Sequence, residues 1–295
     1  MAYSADIPGL KYASHQYGQH NLQRVGVWQY EDAPEAADSA ASYWIIFVHG
    51  GGWRDPRNTL HDFVPSIKHM LAQPDLPRSA VRGFASIDYR LSPHPQFPQD
   101  PASTPANELR QALHPQHVQD VLAALGLLDA EYGIGGNYVL IGHSVGGTLV
   151  HQVIMNNDAS CAWGPVAPLP AALVSISGIH DLRGLAERHG GVYETFIADA
   201  FGPDRQVWDA ASPAKFAGNF KSLWPNEPSL VILASSAEDT LIDVAELDIM
   251  EVKLVKDGIT PIAIRDLRLE HDNIWEDGTQ VAALAAKAVA KLRQQ

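Results

Sequence analysis

The chain has a single cysteine, Cys161, among 295 residues, so no disulfide can close within it and no thiolate cluster can hold a metal. A reducing compartment suits such a chain. Positive charge is also scarce: 21 lysines and arginines stand against 34 aspartates and glutamates, a formal net charge of -13. Long-range repulsion on that scale excludes nucleic acid and anionic membrane as expected partners and leaves a small molecule. No stretch reaches the roughly 18 apolar residues that cross a bilayer. The opening MAYSADIPGL has neither the basic residues nor the apolar run of a secretory signal, so the cytoplasm is the expected location. Internal repeats and low-complexity segments are lacking as well.

What is present is an ordinary globular composition, 46% hydrophobic and 19% charged, in a length suited to one α/β domain spanning 1–295. Tyr43–Val48 (YWIIFV) is a short apolar run ended by glycines, the pattern of a strand buried on both faces of a parallel sheet. Gly83–Tyr89, Tyr138–Ile141, Ala172–Ile176, Leu230–Leu233 and Thr260–Leu267 repeat it. Between them, Val118, Val121, Leu122, Leu125 and Leu128 fall on one helical face, as do Val281, Leu284, Ala285, Ala288, Val289 and Leu292. Alternating strands and helices predict a mostly parallel sheet covered on both sides. Two stretches break the rhythm, proline-rich 91–105 and irregular 182–213, and both are predicted to arch over a site as cap-like insertions. In open α/β sheets the ligand sits beyond the carboxyl ends of the strands, so chemistry is sought directly after them.

After Tyr138–Ile141 comes Gly142-His143-Ser144-Val145-Gly146, a G-x-S-x-G sequence leading into a helix-like TLVHQVIM. A nucleophile on a sharp strand-to-helix turn needs small neighbours, and the glycines supply them. Elsewhere the same motif is an ordinary glycine turn; here the strand before it and the helix after it favour Ser144 as nucleophile. A serine hydroxyl is weak at neutral pH and requires a base and an oxyanion site. His49-Gly50-Gly51-Gly52-Trp53 follows the first strong strand, and consecutive glycines can aim N–H groups at one point. Gly51, Gly52 and Val145 are the expected donors, each worth about 3 kcal/mol in a transition state. A P-loop would need Lys-Ser or Lys-Thr after the last glycine, where Trp53-Arg54 stands, and the dinucleotide G-x-G-x-x-G spacing is missing. His49 reads as a brace for the loop.

With chain order serine, acid, histidine, the acid should follow the strand at Leu230–Leu233 and the base the late strand. Asp239 and His271 hold those places, with Glu238 and Asp243 as competing carboxylates. An acid there would fix the imidazole tautomer and stabilise the imidazolium. His114 and His117 have a spacing that could bind metal, but no third ligand is evident and Pro115 intervenes, so they read as a helix start. No metal and no organic cofactor is expected.

HGGGW, Tyr89-Arg90-Leu91, Gln96-Phe97-Pro98 and GHSVGG, together with the spaced Asp and His, resemble the esterase branch of α/β hydrolases that includes hormone-sensitive lipase relatives. More closely, HGGGWRDP (His49–Pro56), YRLSPHPQFPQDP (Tyr89–Pro101), ELRQALHPQHVQDV, YGIGGNYVLIGHSVGG, SGIHDLRGL and the end His271-Asp-Asn-Ile-Trp275 resemble fungal kynurenine formamidases, also called arylformamidases. The resemblance runs from Trp44 to Trp275. It implies an α/β-hydrolase fold, a triad of Ser144, Asp239 and His271, and hydrolysis of N-formyl-L-kynurenine to L-kynurenine and formate in tryptophan breakdown. The family more often has alanine at the positions of Gly52 and Gly147, changes that remove no backbone donor. An anilide leaving group would want aromatic walls, for which Trp53 and Trp275 are the expected residues, and its carboxylate a cation, from Arg54, Arg57 or Arg90. Packing of the loops is the other reading of the two tryptophans. A homodimer is compatible with all of this. The rival readings are a carboxylesterase, lactonase or amidase acting on another metabolite, as in secondary metabolism, and a catalytically silent binding protein on this fold.

Overall fold

The computed structural model describes residues 4–32, 42–224 and 229–294. Eight strands form one sheet: β1 (Leu10–Gln16), β2 (Arg24–Tyr30), β3 (Tyr43–Val48), β4 (Val81–Ile87), β5 (Tyr138–His143), β6 (Ala172–Ile176), β7 (Leu230–Ser236) and β8 (Ile262–Leu267), in the order β1-β2-β4-β3-β5-β6-β7-β8. From β4 to β8 every neighbouring pair runs parallel, while β1 and β2 pair antiparallel with each other and β2 antiparallel with β4. Central strands β3, β5 and β6 are buried at every residue, which is why they read as unbroken apolar runs.

Helices α1 (Val64–Ala72), α2 (Gln116–Tyr132) and α3 (Val145–Met155) follow β3, β4 and β5. Four more, α4 (Leu182–His189), α5 (Gly191–Phe201), α6 (Arg205–Ala211) and the short α7 (Phe220–Leu223), lie between β6 and β7; α8 (Ala245–Lys256), α9 (Asn273–Asp277) and α10 (Thr279–Leu292) complete the chain. Two apolar clusters sandwich the sheet. One gathers Ile67, Phe63, Ile141 and Val289 under α1 and α10; the other gathers Val121, Leu125, Leu140 and Val150 under α2 and α3. The sheet is thus covered on both faces, as its sequence pattern required.

Two features differ from expectation. The N-terminal strands β1 and β2 went unread; in β1, an edge strand, only Leu10 is buried, so no strong apolar run marks it. Segment 182–213, predicted to be irregular, is largely helical. Its helices are short and self-contained: Asp181 accepts from the Gly184 N–H, Asp204 from the Gln206 N–H, and Gly190 and Gly202 sit between them at φ 59° and 76°. Segment 91–105 is, as read, without helix or strand.

Candidate active site

Ser144 stands at the turn from β5 to α3 with φ 55° and ψ -124°, a backbone region that non-glycine residues rarely enter. The turn is held by a Ser144 N–H bond to the Ile176 carbonyl at 2.9 Å and by Gly147 N–H to the Ser144 carbonyl at 2.8 Å. It closes only on glycine. A Cβ on Gly142 would lie 2.2 Å from the Gly146 carbonyl oxygen, and one on Gly146 would lie 2.2 Å from the Val48 carbonyl oxygen. The glycines of the motif are therefore steric requirements of the turn, independent of any chemistry.

The loop after β3 lies against this turn, since a Cβ on Gly50 would come within 3.0 Å of the Ser144 Cβ. Gly51, Gly52 and Trp53 all have positive φ, 90°, 58° and 59°, and the Gly51 carbonyl accepts from the N–H groups of Arg54 and Asp55. Among the described residues, neither the Gly51 nor the Gly52 N–H has a protein acceptor. The loop is braced from beneath. His49 stacks on Tyr89 at 4.4 Å, its Nδ1 bonds the Gly50 carbonyl, and the Tyr89 hydroxyl donates to the carbonyls of His49 and Gly50. Burial depresses the His49 pKa, so the brace is a neutral imidazole. Arg90 forks onto Asp120 through Nε and Nη2, which fixes the chain after Tyr89 to α2.

His271 follows β8 and Asp239 follows β7. Their side chains meet with His271 Nδ1 2.8 Å from Asp239 Oδ2, and the Asp239 side chain is fully buried. Its other oxygen accepts from the Leu241 and Ile242 N–H groups at 2.9 Å each. Burial alone would raise this carboxyl, but the His271 bond and charge, the Ile242 N–H and the Ser177 hydroxyl outweigh it and hold the pKa at about 2. An ionised carboxylate only accepts, so His271 carries its proton on Nδ1 and leaves Nε2 free to receive one. Of the competing carboxylates, Glu238 accepts from the Leu269 N–H and Asp243 binds Arg188 and His189. His143 packs its ring 4.5 Å from that of His271, and burial keeps it well below its usual pKa, hence neutral.

Ser144, Val145, Gly51, Gly52 and His271 line one cleft of about 330 Å³. Helix α5 lines it as well, through Tyr193 and Phe196, two aromatics that sequence patterning did not single out because their segment looked irregular. Arg54 and Arg57 also reach the cleft, each already paired, with Asp199 at 2.7 Å and with Asp55 respectively. The tryptophans expected as walls are placed elsewhere. Trp53 is wholly buried, edge-on to Phe201 at 4.9 Å, because its positive φ turns the side chain into the core. Trp275 packs on the cluster under α10, its indole N–H 3.4 Å from Asp272. Arg90 faces a different and roomier hollow of about 610 Å³, which contains none of the candidate catalytic residues. His117 is buried against the Ser92 hydroxyl and His114 stacks on Phe201. Both are packing residues at the start of α2.

An eight-stranded, mostly parallel sheet with a serine at the turn after β5, a histidine after β8 and a carboxylate after β7 is the layout of an α/β hydrolase. The sequence profile described as the alpha/beta hydrolase family matches residues 45–284, and the chain belongs to that family. Its relatives narrow the group to the kynurenine formamidases. It is 32% identical to a kynurenine formamidase-like hydrolase of Fusarium equiseti, over 87% of this chain and 86% of that one. It is equally similar, at 32%, to a kynurenine formamidase of Aspergillus versicolor (81% and 85% covered) and to one of Meyerozyma guilliermondii (80% and 77%). Among solved structures, esterase B from Lactobacillus rhamnosis superposes with a TM-score of 0.68 at 14% identity, covering 98% of this chain and 87% of that one. Carboxyl esterase 2 from Tuber melanosporum gives 0.64 at 17%, covering 100% and 89%. These two share the fold. No helix among the described residues is long and apolar enough to cross a membrane.

Proposed function

We propose that the chain is a serine hydrolase that cleaves N-formyl-L-kynurenine to L-kynurenine and formate, a cytoplasmic step of tryptophan breakdown needing neither metal nor organic cofactor. The observation that carries the hydrolase reading is that His271, bonded to the buried Asp239 at 2.8 Å, lines the same cleft as Ser144. His271 Nε2 takes the Ser144 proton as Oγ attacks the formyl carbon, and the N–H groups of Gly51, Gly52 and Val145 receive the oxyanion. The C–N bond then breaks while His271 returns the proton to the aryl nitrogen. Water, deprotonated by His271, attacks the formyl-serine, and formate leaves as Ser144 is restored.

The substrate rests on the relatives' names and on the shape of the cleft. The acyl substituent of a formyl group is only hydrogen and needs no acyl pocket beside the closely packed glycine loop, whereas an aryl amine can lie against Tyr193 and Phe196. Comparing kcat/KM on N-formyl-L-kynurenine and on p-nitrophenyl acetate tests this. We expect the formamide to be turned over at least as efficiently as the ester; ester cleavage without deformylation would instead make the protein a carboxylesterase.

A further inference from the structure

Beside the active cleft lies a second pocket of about 510 Å³, walled by the proline-rich loop through Pro93, Phe97 and Pro98 and by Arg110. Three contacts join the two. His94 lines both pockets; Arg57 of the cleft lies 5.5 Å over the ring of Phe97; and Arg54 of the cleft pairs with Asp199 of the second pocket. Arg110 differs from the arginines around it. Arg54, Arg57 and Arg90 each hold a carboxylate, but Arg110 makes no ion pair among the described residues. Its Nη2 donates to the Phe97 carbonyl, its backbone N–H to Gln99 Oε1, and its Nε is buried without a partner.

Acidic partners are plentiful in a chain of net charge -13, yet the half-buried Arg110 guanidinium pairs with none among the described residues. We propose that this second pocket is an anion subsite of the active cleft, in which Arg110 receives a carboxylate carried by the leaving group. The aryl ring would lie in the cleft and its acidic substituent would pass His94 to the guanidinium, whose planar fork suits a carboxylate. Burial lowers the pKa of His94, and the charges of Arg54, Arg57 and Arg110 lower it further against Asp55, so all three guanidiniums lie near the passage between the pockets, Arg54 and Arg57 paired and Arg110 without an ion pair. The inference extends the formamidase reading, in which the leaving group is an amino acid, but applies to any acidic aryl leaving group.

The test uses two acetate esters that differ only at the far end, 3-(4-acetoxyphenyl)propionate and its primary amide. The quantity read is the ratio of their kcat/KM values, which a general loss of fold or of catalysis leaves unchanged. The wild-type enzyme should favour the acid by about tenfold or more, the value of one good charged contact. Arg110→Ala should bring the ratio close to one through KM, and Arg110→Lys should restore part of it. No preference in the wild type, or a preference that survives Arg110→Ala, would overturn the subsite. Because both probes are esters, this outcome is independent of whether the enzyme deformylates N-formyl-L-kynurenine.

Discussion

At Ser144 the backbone occupies a region whose cost is on the order of 1–3 kcal/mol, and it persists because Gly142 and Gly146 press against neighbouring carbonyls that admit no side chain. Asp239 is fixed by different means: two backbone N–H bonds set its position and the His271 bond sets its use. Asp239→Asn should keep the shape of the loop while presenting an amide to Nδ1, so that the wrong tautomer is stabilised. Steady-state kinetics should then show kcat lower by roughly 10³–10⁴ with KM little changed; a loss below tenfold would show that the imidazole is oriented by something else. Ser144, Asp239 and His271 were legible because each follows a recognisable strand. Trp53 and Trp275 were misplaced because nearness in sequence to a catalytic loop says nothing about which way a side chain turns, and at Trp53 a φ of 59° decides it.

Elements also fit closely where α3 leaves the turn at Ser144. A Cβ on Gly147 would lie 2.5 Å from Ser175 Oγ on β6 and 2.7 Å from the Gly178 Cα, so the alanine more usual in the resembling family has no room here. Gly147→Ala should cost about 1–3 kcal/mol by overpacking, read as a lower urea midpoint, and unchanged stability would mean that β6 yields freely. Helices α4 and α5 are tied to the loop after β7 in a comparable way. Arg188 at the end of α4 holds Asp243 and Glu246, and the Tyr193 hydroxyl of α5 donates to the Leu241 carbonyl at 2.6 Å. None of this was legible. The strands β3 to β8 announced themselves by unbroken apolar runs, whereas short capped helices and an amphipathic edge strand leave weaker patterns than the tertiary contacts that stabilise them.

For the whole molecule, the acidic composition foretold the class of partner but not which carboxyls are buried. Asp62 and Glu246 are, and burial raises both to a pKa of about 7 despite the hydrogen bonds that oppose it. The unfolded chain releases those protons near pH 4. Between about pH 4 and 7 these two carboxyls bind more protons in the folded state, so each contributes stability, roughly 3–4 kcal/mol at the full shift, that is lost as pH rises through that window. Asp239 acts in the opposite sense: its depressed pKa contributes stability above about pH 4 that is lost as pH falls toward 2. Buried neutral histidines such as His49 and His143 also act against Asp62 and Glu246, because the unfolded chain takes up their protons as pH falls through about 6.5. The carboxyl contribution is therefore read by difference: Asp62→Asn should lower the urea midpoint more at pH 5 than at pH 8, and an equal effect at both would show that Asp62 folds ionised. The central claim, that the whole assembly serves to activate one hydroxyl, is tested most directly by mass spectrometry of the intact protein after exposure to a fluorophosphonate. A single adduct that maps to Ser144, absent from Ser144→Ala together with all turnover, is the expected result. Hydrolysis that survives in Ser144→Ala, or an adduct on another residue, would contradict it.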